Sequence, residues 1–395
     1  MEPFGSHHQE FFVVRHRDTP GRDVALVGSI DVGHSRRDGG AHRGDPQPLT
    51  FGRRYGSNPR WHDAHVEVRG PAVRDVETVF RERWEDPAPL SLLPWQAVPD
   101  VVRRLRRGRR DTLPPQRPAP DPAGPCTVQL LRTYPRHRPR YPFAPRGEFS
   151  VAAGTAKALR RARCLVHVEE QFLWSEEVAR VFAGALRAQP GLQLLVLVPR
   201  LLERDDPVCA PALLLGQVRT LRLLRAAAPG RVHVYDVESA DGHAVHVHSK
   251  VLVVDDVRAA VRSDDLDRRS WTHDSELSVA VLDARRDDRE PRGPAGLGDG
   301  ARTFARDLRL RLLREHLDGA AGDGAALLDP RGALDAVARA AAALDAWYDG
   351  GRRGPRPPGR LRVHRDPRVP RWQRVLLSPV HRLLLDPGGG APAAG

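Results

Sequence analysis

The most informative stretch of this 395-residue sequence is His248-Ser-Lys-Val-Leu-Val-Val-Asp255. On a β-strand, residues i and i+2 project from the same face, so the His248 imidazole and the Lys250 ammonium would point together into one site. The apolar run Val251–Val254 would anchor the strand in a core, and Asp255 would lie at its end. The stretch therefore predicts a buried strand that presents a histidine and a lysine side by side.

The needs of phosphodiester cleavage fit this pair of side chains. A lysine can hold the negative charge of the phosphate as a fixed cation. A neutral histidine can attack phosphorus and form a covalent intermediate, and a second histidine can protonate the leaving alcohol. The only two lysines in the sequence are Lys157 and Lys250, in a chain that otherwise uses arginine. We see no metal-ligand cluster and predict neither a metal ion nor another cofactor.

A similar pattern lies near the start of the chain. Residues 8–84 and 248–316 share one order of features: polar triplet, apolar strand, turn, second strand, serine-containing loop, His-Asp pair and helix. A repeat of this size predicts two duplicated domains. His62 and His273 fall at equivalent positions in this alignment, and we predict that each orients a loop rather than binding a ligand.

Strand and helix signals alternate in the second half. The apolar runs Leu165–Val168, Leu192–Val198 and Val232–Val237 are typical of strands. Ser175 could cap a helix that follows the first run, and another helix is predicted near 216–227. The alternation predicts a mostly parallel sheet with helices on its faces.

The sequence divides into four predicted segments. They are a first half over 1–100, a basic Pro-rich linker over 101–144, a second half over 145–320, and an Ala/Gly/Pro/Arg-rich extension over 321–395. The basic run at 103–110 could be a solvated helix end or a lipid-headgroup site. The first motif begins at residue 8, where a whole βαβ unit should precede it, so we expect an N-terminally truncated first half.

Composition sets outer limits on function. The formal net charge of +13 favours polyanions, although the dominance of arginine could also reflect codon bias. No apolar run approaches the ~18 residues that a membrane helix needs. The first residues lack the basic and apolar regions of a signal peptide. We therefore expect a cytoplasmic or peripheral membrane protein.

The second-half motif resembles the signature of the phospholipase D superfamily, His-x-Lys-x4-Asp followed by a Gly-Ser loop and an Asn. The corresponding residues are His248, Lys250, Asp255 and Ser263, with Asp265 and Asp267 where an Asn is usual. The stretch Val168–Leu173 resembles the family strand that ends in Gln before an aromatic residue. In the first half, Gly28–Asp31 and Trp61–Asp63 resemble the pattern of bacterial lipid-type members. The resemblance covers about residues 5–90 and 145–317.

The resemblance implies two pseudo-twofold-related α/β domains with mostly parallel mixed sheets flanked by helices, and one site made by both halves. It implies that His8 is the nucleophile and His248 the acid, with Lys250 and Asp255 completing the catalytic set. We expect Glu276 to pair with a catalytic histidine and fix its tautomer. The residues expected to bind phosphate or support the site are Ser29, Asp31, Ser263, Asp265 and Glu276.

Three positions depart from the family pattern. Glu10 stands where the first-half lysine should be, and a unit charge at ~4 Å is worth about 4 kcal/mol at the effective dielectric of partly buried pairs. Glu10 therefore predicts a large loss of rate unless its carboxyl is protonated. Arg15 replaces the first-half Asp and could supply part of the missing positive charge. Arg262 replaces the loop glycine and predicts a strained loop if the position needs a glycine conformation.

Three functions remain open. The first is a phospholipase D that hydrolyses or transfers the headgroup of glycerophospholipids, giving phosphatidic acid on hydrolysis. The second is a catalytically impaired member that binds phosphate or membrane, and the third is a nuclease of the same superfamily. Because such nucleases are usually short single-motif homodimers, we expect a phospholipid substrate, peripheral contact with an anionic membrane surface, and no nucleic-acid partner.

Overall fold

The structure is a computed structural model that describes residues 5–386 except 34–35, 46–54, 86–97, 99–101, 103–112, 137–139, 203–208, 296–299, 323, 368 and 382–385. The basic run at 103–110 lies outside the described residues.

The strands, in chain order, are β1 (Phe11–Val14), β2 (Val24–Gly28), β3 (Arg60–His62), β4 (His65–Val68), β5 (Cys126–Tyr134), β6 (Glu148–Phe149), β7 (Leu165–Glu169), β8 (Gln193–Leu197), β9 (Val232–Val237), β10 (Val245–Val247), β11 (Val251–Val254), β12 (Arg258–Arg262), β13 (Glu276–Asp283) and β14 (Leu361–Val363). The α-helices are α1 (Ala72–Trp84), α2 (Ser150–Arg161), α3 (Glu176–Ala188), α4 (Cys209–Ala227), α5 (Arg268–Thr272), α6 (Thr303–Leu317), α7 (Pro330–Asp349) and α8 (Arg371–Val380).

One large mixed sheet forms the centre of the molecule, in the order β14-β9-β8-β7-β11-β12-β13-β5-β6. The apolar faces of α2, α3 and α4 pack on one side of it, and α6 and α7 pack on the other. The predicted mixed α/β fold with helices on both faces is therefore confirmed. Ser175 caps α3 as expected, since its Oγ accepts a hydrogen bond from the backbone N of Val178 at 3.4 Å.

The parallel part of this sheet is smaller than predicted. Only β7, β8 and β9 pair in parallel, and the other neighbours in the sheet are antiparallel. The parallel strands are those separated by the crossover helices α3 and α4. By contrast, residues 255–257 alone join β11 to β12, and so short a turn can connect only antiparallel strands.

A smaller sheet, β1-β2-β4, belongs to the first half of the chain. Val27 and Val68 on this sheet share an apolar cluster with Val261 and Val279 of the large sheet. Its hairpin has the same register as the hairpin of the second half, because Phe11 pairs with Val27 just as Val251 pairs with Val261. The matching registers agree with the sequence repeat, and the duplication of whole domains stays a prediction.

Two segments assigned to linker or tail contain regular structure. Cys126–Tyr134, inside the predicted linker, forms β5 and pairs with the whole length of β13. In the predicted C-terminal extension, α7 buries Ala333, Val337 and Ala341 on one face and β14 adds a strand to the large sheet. The many Arg, Pro and Gly residues hid these elements, although period-2 and period-3.6 apolar patterns are present in them.

Candidate active site

Residues 248–250 lie between β10 and β11 and are buried. Nζ of Lys250 is 3.3 Å from Nε2 of His248, as the i, i+2 spacing predicts. The ammonium also donates a hydrogen bond to Oε1 of Gln171 at 3.2 Å and lies 3.6 Å from Oδ1 of Asp265. Burial alone would lower the pKa of Lys250, but the surrounding carboxylates, Asp265 foremost, raise it, so the ammonium stays charged.

His248 has hydrogen-bond partners that fit a neutral imidazole. Its Nδ1 lies 2.9 Å from Oδ2 of Asp63. Burial opposes ionisation of Asp63, but His248 and Lys250 lower its pKa to about 2, so the side chain is a carboxylate. This carboxylate accepts a hydrogen bond from the N–H at Nδ1 of His248. On the other side, Nε2 faces the ammonium of Lys250, which can only donate. The lone pair of Nε2 is therefore held on the side of the lysine.

His8 has a different environment. Its Nδ1 lies 3.1 and 3.2 Å from the two carboxylate oxygens of Glu276, which also accepts a hydrogen bond from Oγ of Ser263 at 2.6 Å. Burial alone would lower the pKa of His8, but the charge of Glu276 and its hydrogen bond raise it to about 10. His8 is thus an imidazolium at neutral pH, and the expected pairing of Glu276 with a histidine is present.

The two halves contribute to the site reciprocally. His8 contacts an acid of the second half, whereas His248 contacts Asp63 of the first half. Each acid is held by a serine of its own half, Glu276 by Ser263 and Asp63 by Ser29. The chain backbones meet as well, because the amide of His8 donates to the carbonyl of Ser275 at 3.0 Å. The site therefore exists only when both halves are folded together.

Glu10 occupies the position that corresponds to Lys250. Its Oε1 lies 3.9 Å from Nε2 of His8, and its buried Oε2 has no hydrogen-bond partner among the described residues. Burial raises the pKa of Glu10 to about 8 against the opposing charges of Lys250 and His8. At pH 7 the side chain is mostly neutral, which removes most of the charge repulsion predicted from the sequence.

Asp255, predicted as part of the catalytic set, has backbone partners away from the histidines. Its carboxylate accepts the backbone amides of Arg163, Cys164 and Leu165 at 2.7, 2.8 and 2.9 Å. It lies at the far end of β11 from Lys250, and a strand advances about 3.3 Å per residue, which places the two Cα atoms about 16 Å apart. Asp255 ties β11 to the start of β7 and does not face the histidines.

We expect Asp255→Ala to lower the free energy of unfolding by about 3 kcal/mol, because three backbone amides, one of them buried, lose a charged acceptor. The turnover number of the folded enzyme should change less than about threefold. Denaturant unfolding and steady-state kinetics on the same preparation measure both. Asp255→Asn, which keeps one acceptor oxygen, is the matched control and should lose less stability. A large fall in turnover at unchanged stability would return Asp255 to the catalytic set.

The two arginine departures are also explained by packing. Arg15 lies at the end of β1 away from Glu10, and its guanidinium pairs with Asp23 and Glu77, both at 2.9 Å. It therefore brings no positive charge to the site. Arg262 ends β12 without a left-handed backbone, and its buried guanidinium pairs with Glu170 at 2.7 Å and Asp264 at 2.8 Å. The predicted loop strain is absent because the side chain has its own buried anionic partners.

The remaining predicted site residues lie around this centre. Asp265 lies beside Lys250, and Asp31, whose side chain is 38% exposed, lies 3.3 Å from Nε of Arg36. A pocket of about 450 Å³ opens next to Asp63 and offers an approach for a substrate. It is lined by Ile30, Asp31, Val32, Gly33, Arg36, Arg37, Asp38, Trp61 and Asp63.

Sequence reasoning missed the role of Asp63. The repeat aligned it with Asp274, but Asp274 binds the backbone amide of Ser6 instead. The backbone hydrogen bonds show instead that Asp63 is equivalent to Glu276. The amide of Ser29 donates to the carbonyl of the residue after Asp63, and the amide of Ser263 donates to the carbonyl of the residue after Glu276. The Ser-to-acid pairing was the signal available, but the acids lie at different distances along the chain in the two halves.

Although we predicted no metal-ligand cluster, the described residues bring together three groups whose ligand atoms lie within 4.8 Å of one another. They are Glu10–Asp31–His248, His42–His62–Glu315 and His62–Glu169–His316. In the first group, a cation on Nε2 of His248 would meet the ammonium of Lys250, which lies 3.3 Å from that atom. The first group therefore fits a phosphate site better than a metal site.

Comparison with known proteins finds similarity to enzymes named phospholipase D and cardiolipin synthase. Among curated proteins, phospholipase D beta 2 of Arabidopsis thaliana is 24% identical, with 70% of this chain and 40% of that protein covered. Phospholipase D A of Dictyostelium discoideum is 23% identical, with 80% and 27% covered. Cardiolipin synthase 2 of Staphylococcus epidermidis is 21% identical, with 56% and 37% covered. The chain is therefore similar to phospholipases D and to a cardiolipin synthase.

The chain spans about two fifths or less of the length of these relatives. No family model matches it. Among solved structures, the phosphatidylserine synthase of Haemophilus influenzae superposes with a TM-score of 0.45 at 11% identity, covering 71% of this chain and 58% of that one. Nuc of Salmonella typhimurium gives 0.28 at 14% identity, covering 40% and 84%. None of the helices in the described residues has the length and apolar character needed to cross a membrane.

Proposed function

We propose that this chain is a phospholipase D-type phosphodiesterase that cleaves or transfers the headgroup of glycerophospholipids through a phosphohistidine, giving phosphatidic acid on hydrolysis. The observation that carries the proposal is the pairing of His248 with both Lys250 and Asp63, beside a charged His8 held by Glu276. The relatives named phospholipase D and cardiolipin synthase support a phospholipid as the substrate.

The hydrogen-bond partners of the two histidines favour a division of labour opposite to the one that the resemblance implies. Nε2 of His248 has the lone pair that a nucleophile needs, and it attacks phosphorus while Lys250 holds the phosphate charge. The bond from phosphorus to the headgroup oxygen breaks, and that oxygen takes the proton from Nε2 of His8. A water or alcohol then gives its proton back to His8 and attacks phosphorus, which breaks the bond to His248.

A direct comparison of substrates tests the proposed function. We expect release of choline from phosphatidylcholine and no cleavage of single-stranded DNA under the same conditions. Cleavage of DNA alone would favour the nuclease alternative. Absence of both activities, with retained binding of phosphate or vesicles, would favour a catalytically impaired member.

We further propose that α8 contacts the membrane. Its exposed apolar residues Trp372, Val375 and Leu376 are 63, 75 and 65% exposed and follow the i, i+3, i+4 spacing of one helix face. The formal net charge of +13 would add attraction to anionic lipid.

Replacing Trp372 and Leu376 together with alanine should weaken binding to anionic vesicles at least about tenfold, since each side chain contributes about 1.5–3 kcal/mol when fully buried. Vesicle co-sedimentation measures the binding, and hydrolysis of a monomeric short-chain lipid should not change. Val363→Ala removes an apolar side chain that is 47% exposed on β14 and serves as the control. Equal binding by wild type and double variant would contradict the contact.

A further inference from the structure

A second cluster of histidines and carboxylates lies apart from the two catalytic histidines. His42, in the loop between β2 and β3, and His62, at the end of β3, are buried, and both approach Glu315 on α6. Oε1 of Glu315 lies 3.4 Å from Nε2 of His42 and 3.1 Å from Nδ1 of His62. These three side chains form what we call the His42–His62–Glu315 cluster.

The hydrogen bonds around the cluster fix which ring nitrogens point into it. Nδ1 of His42 lies 3.1 Å from the carbonyl oxygen of Trp61, which can only accept, so this nitrogen carries the proton. Nε2 of His42 is then a lone-pair atom. It is buried and makes no hydrogen bond to any residue in the described part of the chain.

His62 is oriented in the same way by a carboxylate. Its Nε2 lies 2.8 Å from Oε2 of Glu169, which leaves Nδ1 directed at Glu315. Glu169 is itself held in place, because it also contacts Nε2 of His316 at 2.7 Å and accepts a hydrogen bond from Ser249 at 2.8 Å. A carboxylate on the distal nitrogen of a histidine is the usual outer partner of a metal-binding histidine.

The spacing of the inward atoms fits a small tetrahedral ion. Zn²⁺ binds nitrogen and carboxylate oxygen at about 2.0–2.2 Å, so two ligands at a tetrahedral angle lie about 3.3–3.5 Å apart. The distances from Glu315 to His42 and His62 are 3.4 and 3.1 Å, and all three ligand atoms lie within 4.8 Å of one another. Two imidazoles and one carboxylate suit Zn²⁺ or a similar transition-metal ion better than Mg²⁺ or Ca²⁺. The side chain of Glu315 is 24% exposed, which gives a fourth ligand access from solvent.

We propose that His42, His62 and Glu315 bind one divalent transition-metal ion of the Zn²⁺ type. The ion would join a loop of the first half to α6 of the second half. It would also fix the backbone next to the catalytic centre, because Asp63 follows His62 directly. The carbonyl of His62 accepts the amides of His248 and Ser249 at 2.8 and 3.0 Å, so the same backbone also positions the catalytic strand. The ion is structural and takes no part in the phosphoryl transfer.

Metal binding by the untagged full chain, stripped with a chelator and titrated with Zn²⁺, tests this site. We expect about one Zn²⁺ per chain by elemental analysis and a rise in melting temperature on binding. Co²⁺ bound in place of Zn²⁺ should give the intense visible absorption of four-coordinate cobalt. His42→Ala and Glu315→Gln should each weaken Zn²⁺ binding at least about a hundredfold and abolish the cobalt signal.

Two controls and one conservative variant make the result specific. His243→Ala removes a histidine whose side chain is 55% exposed and should bind Zn²⁺ like wild type. Asp31→Asn alters the group beside His248 and should also leave the Zn²⁺ affinity unchanged. Glu315→Gln preserves the size of a partly exposed side chain, so it reports on binding even if His42→Ala fails to fold. A wild-type chain without stoichiometric Zn²⁺, or Zn²⁺ binding that survives Glu315→Gln or disappears in Asp31→Asn, would overturn the proposal.

Discussion

Replacing His248 with alanine should lower the turnover number on phospholipid at least about a thousandfold. Replacing His8 with alanine should leave the first chemical step intact on a substrate whose leaving group needs no acid. The first loss follows because the phosphoryl group has no acceptor when His248 is absent. Loss of a general acid costs typically about 10²–10⁴-fold, and only when the leaving alcohol needs a proton.

A phosphodiester with a p-nitrophenyl leaving group separates the two roles, because p-nitrophenolate departs without a proton. His8→Ala should release about one equivalent of p-nitrophenol per site in a burst. The phosphoryl group then remains on His248, because no base activates the water for the second step. His248→Ala should release no p-nitrophenol in a burst. Rapid quenching without acid, followed by peptide mapping, identifies the histidine that carries the phosphoryl group. A burst in His248→Ala with phosphate on His8 would reverse the assignment to the one that the family resemblance implies.

Glu10→Lys should raise kcat/KM on phospholipid at least about tenfold at pH 7. The change places a positive charge where the neutral carboxyl of Glu10 now lies, and a unit charge at ~4 Å is worth up to about 4 kcal/mol at the effective dielectric of such sites. Glu67→Lys makes the same substitution at a residue whose side chain is 52% exposed, so it is the matched control. If the wild type is inactive and Glu10→Lys is active, the charge reversal is the defect. If Glu10→Lys is no faster than wild type, Glu10 does not limit the reaction.

The pH dependence of kcat/KM in the wild type should also reveal the ionisation of Glu10. Burial raises the pKa of Glu10 to about 8, so the carboxyl is neutral below that pH and becomes an anion above it. As the pH rises through about 8, the new anion repels the phosphate and kcat/KM should fall. His8, whose pKa is raised to about 10 mainly by Glu276 against the effect of burial, should cause a separate fall near pH 10. Glu10→Gln should abolish the first fall and keep the second. A profile that is unchanged in Glu10→Gln would contradict this explanation.

Local pattern predicted much of the fold. The apolar runs that became β7, β8, β9 and β11 are strands. The helix predicted near 216–227 lies within α4, and the helices that end the two sequence repeats are α1 and α6. These elements bury a continuous face, so hydrophobic periodicity records them in the sequence. The sequence was less informative for β5 and α7, whose arginine-rich and alanine-rich composition was taken for linker and tail.

Polar partners were the hardest feature to predict. The sequence predicted that His248 and Lys250 lie side by side on a strand. Their side chains do meet, with Nζ of Lys250 3.3 Å from Nε2 of His248, although residues 248–250 lie between β10 and β11. Asp255 is five residues beyond Lys250, and the length of β11 carries it to the opposite end of the strand. Arg15 and Arg262 looked like changes to the site, and both are neutralised by carboxylates that only folding brings near.

The sequence by itself determined the class of the fold, and it predicted the close approach of His248 and Lys250 and a second histidine at position 8. Only the tertiary structure decided which acid holds which histidine, since Glu276 lies 268 residues from His8 and Asp63 lies 185 residues from His248. It also brought His42, His62 and Glu315 together from three separate elements. The physical reason is that backbone periodicity acts over a few residues, whereas protonation states and ligand geometry depend on charges and burial that arise when distant strands pack.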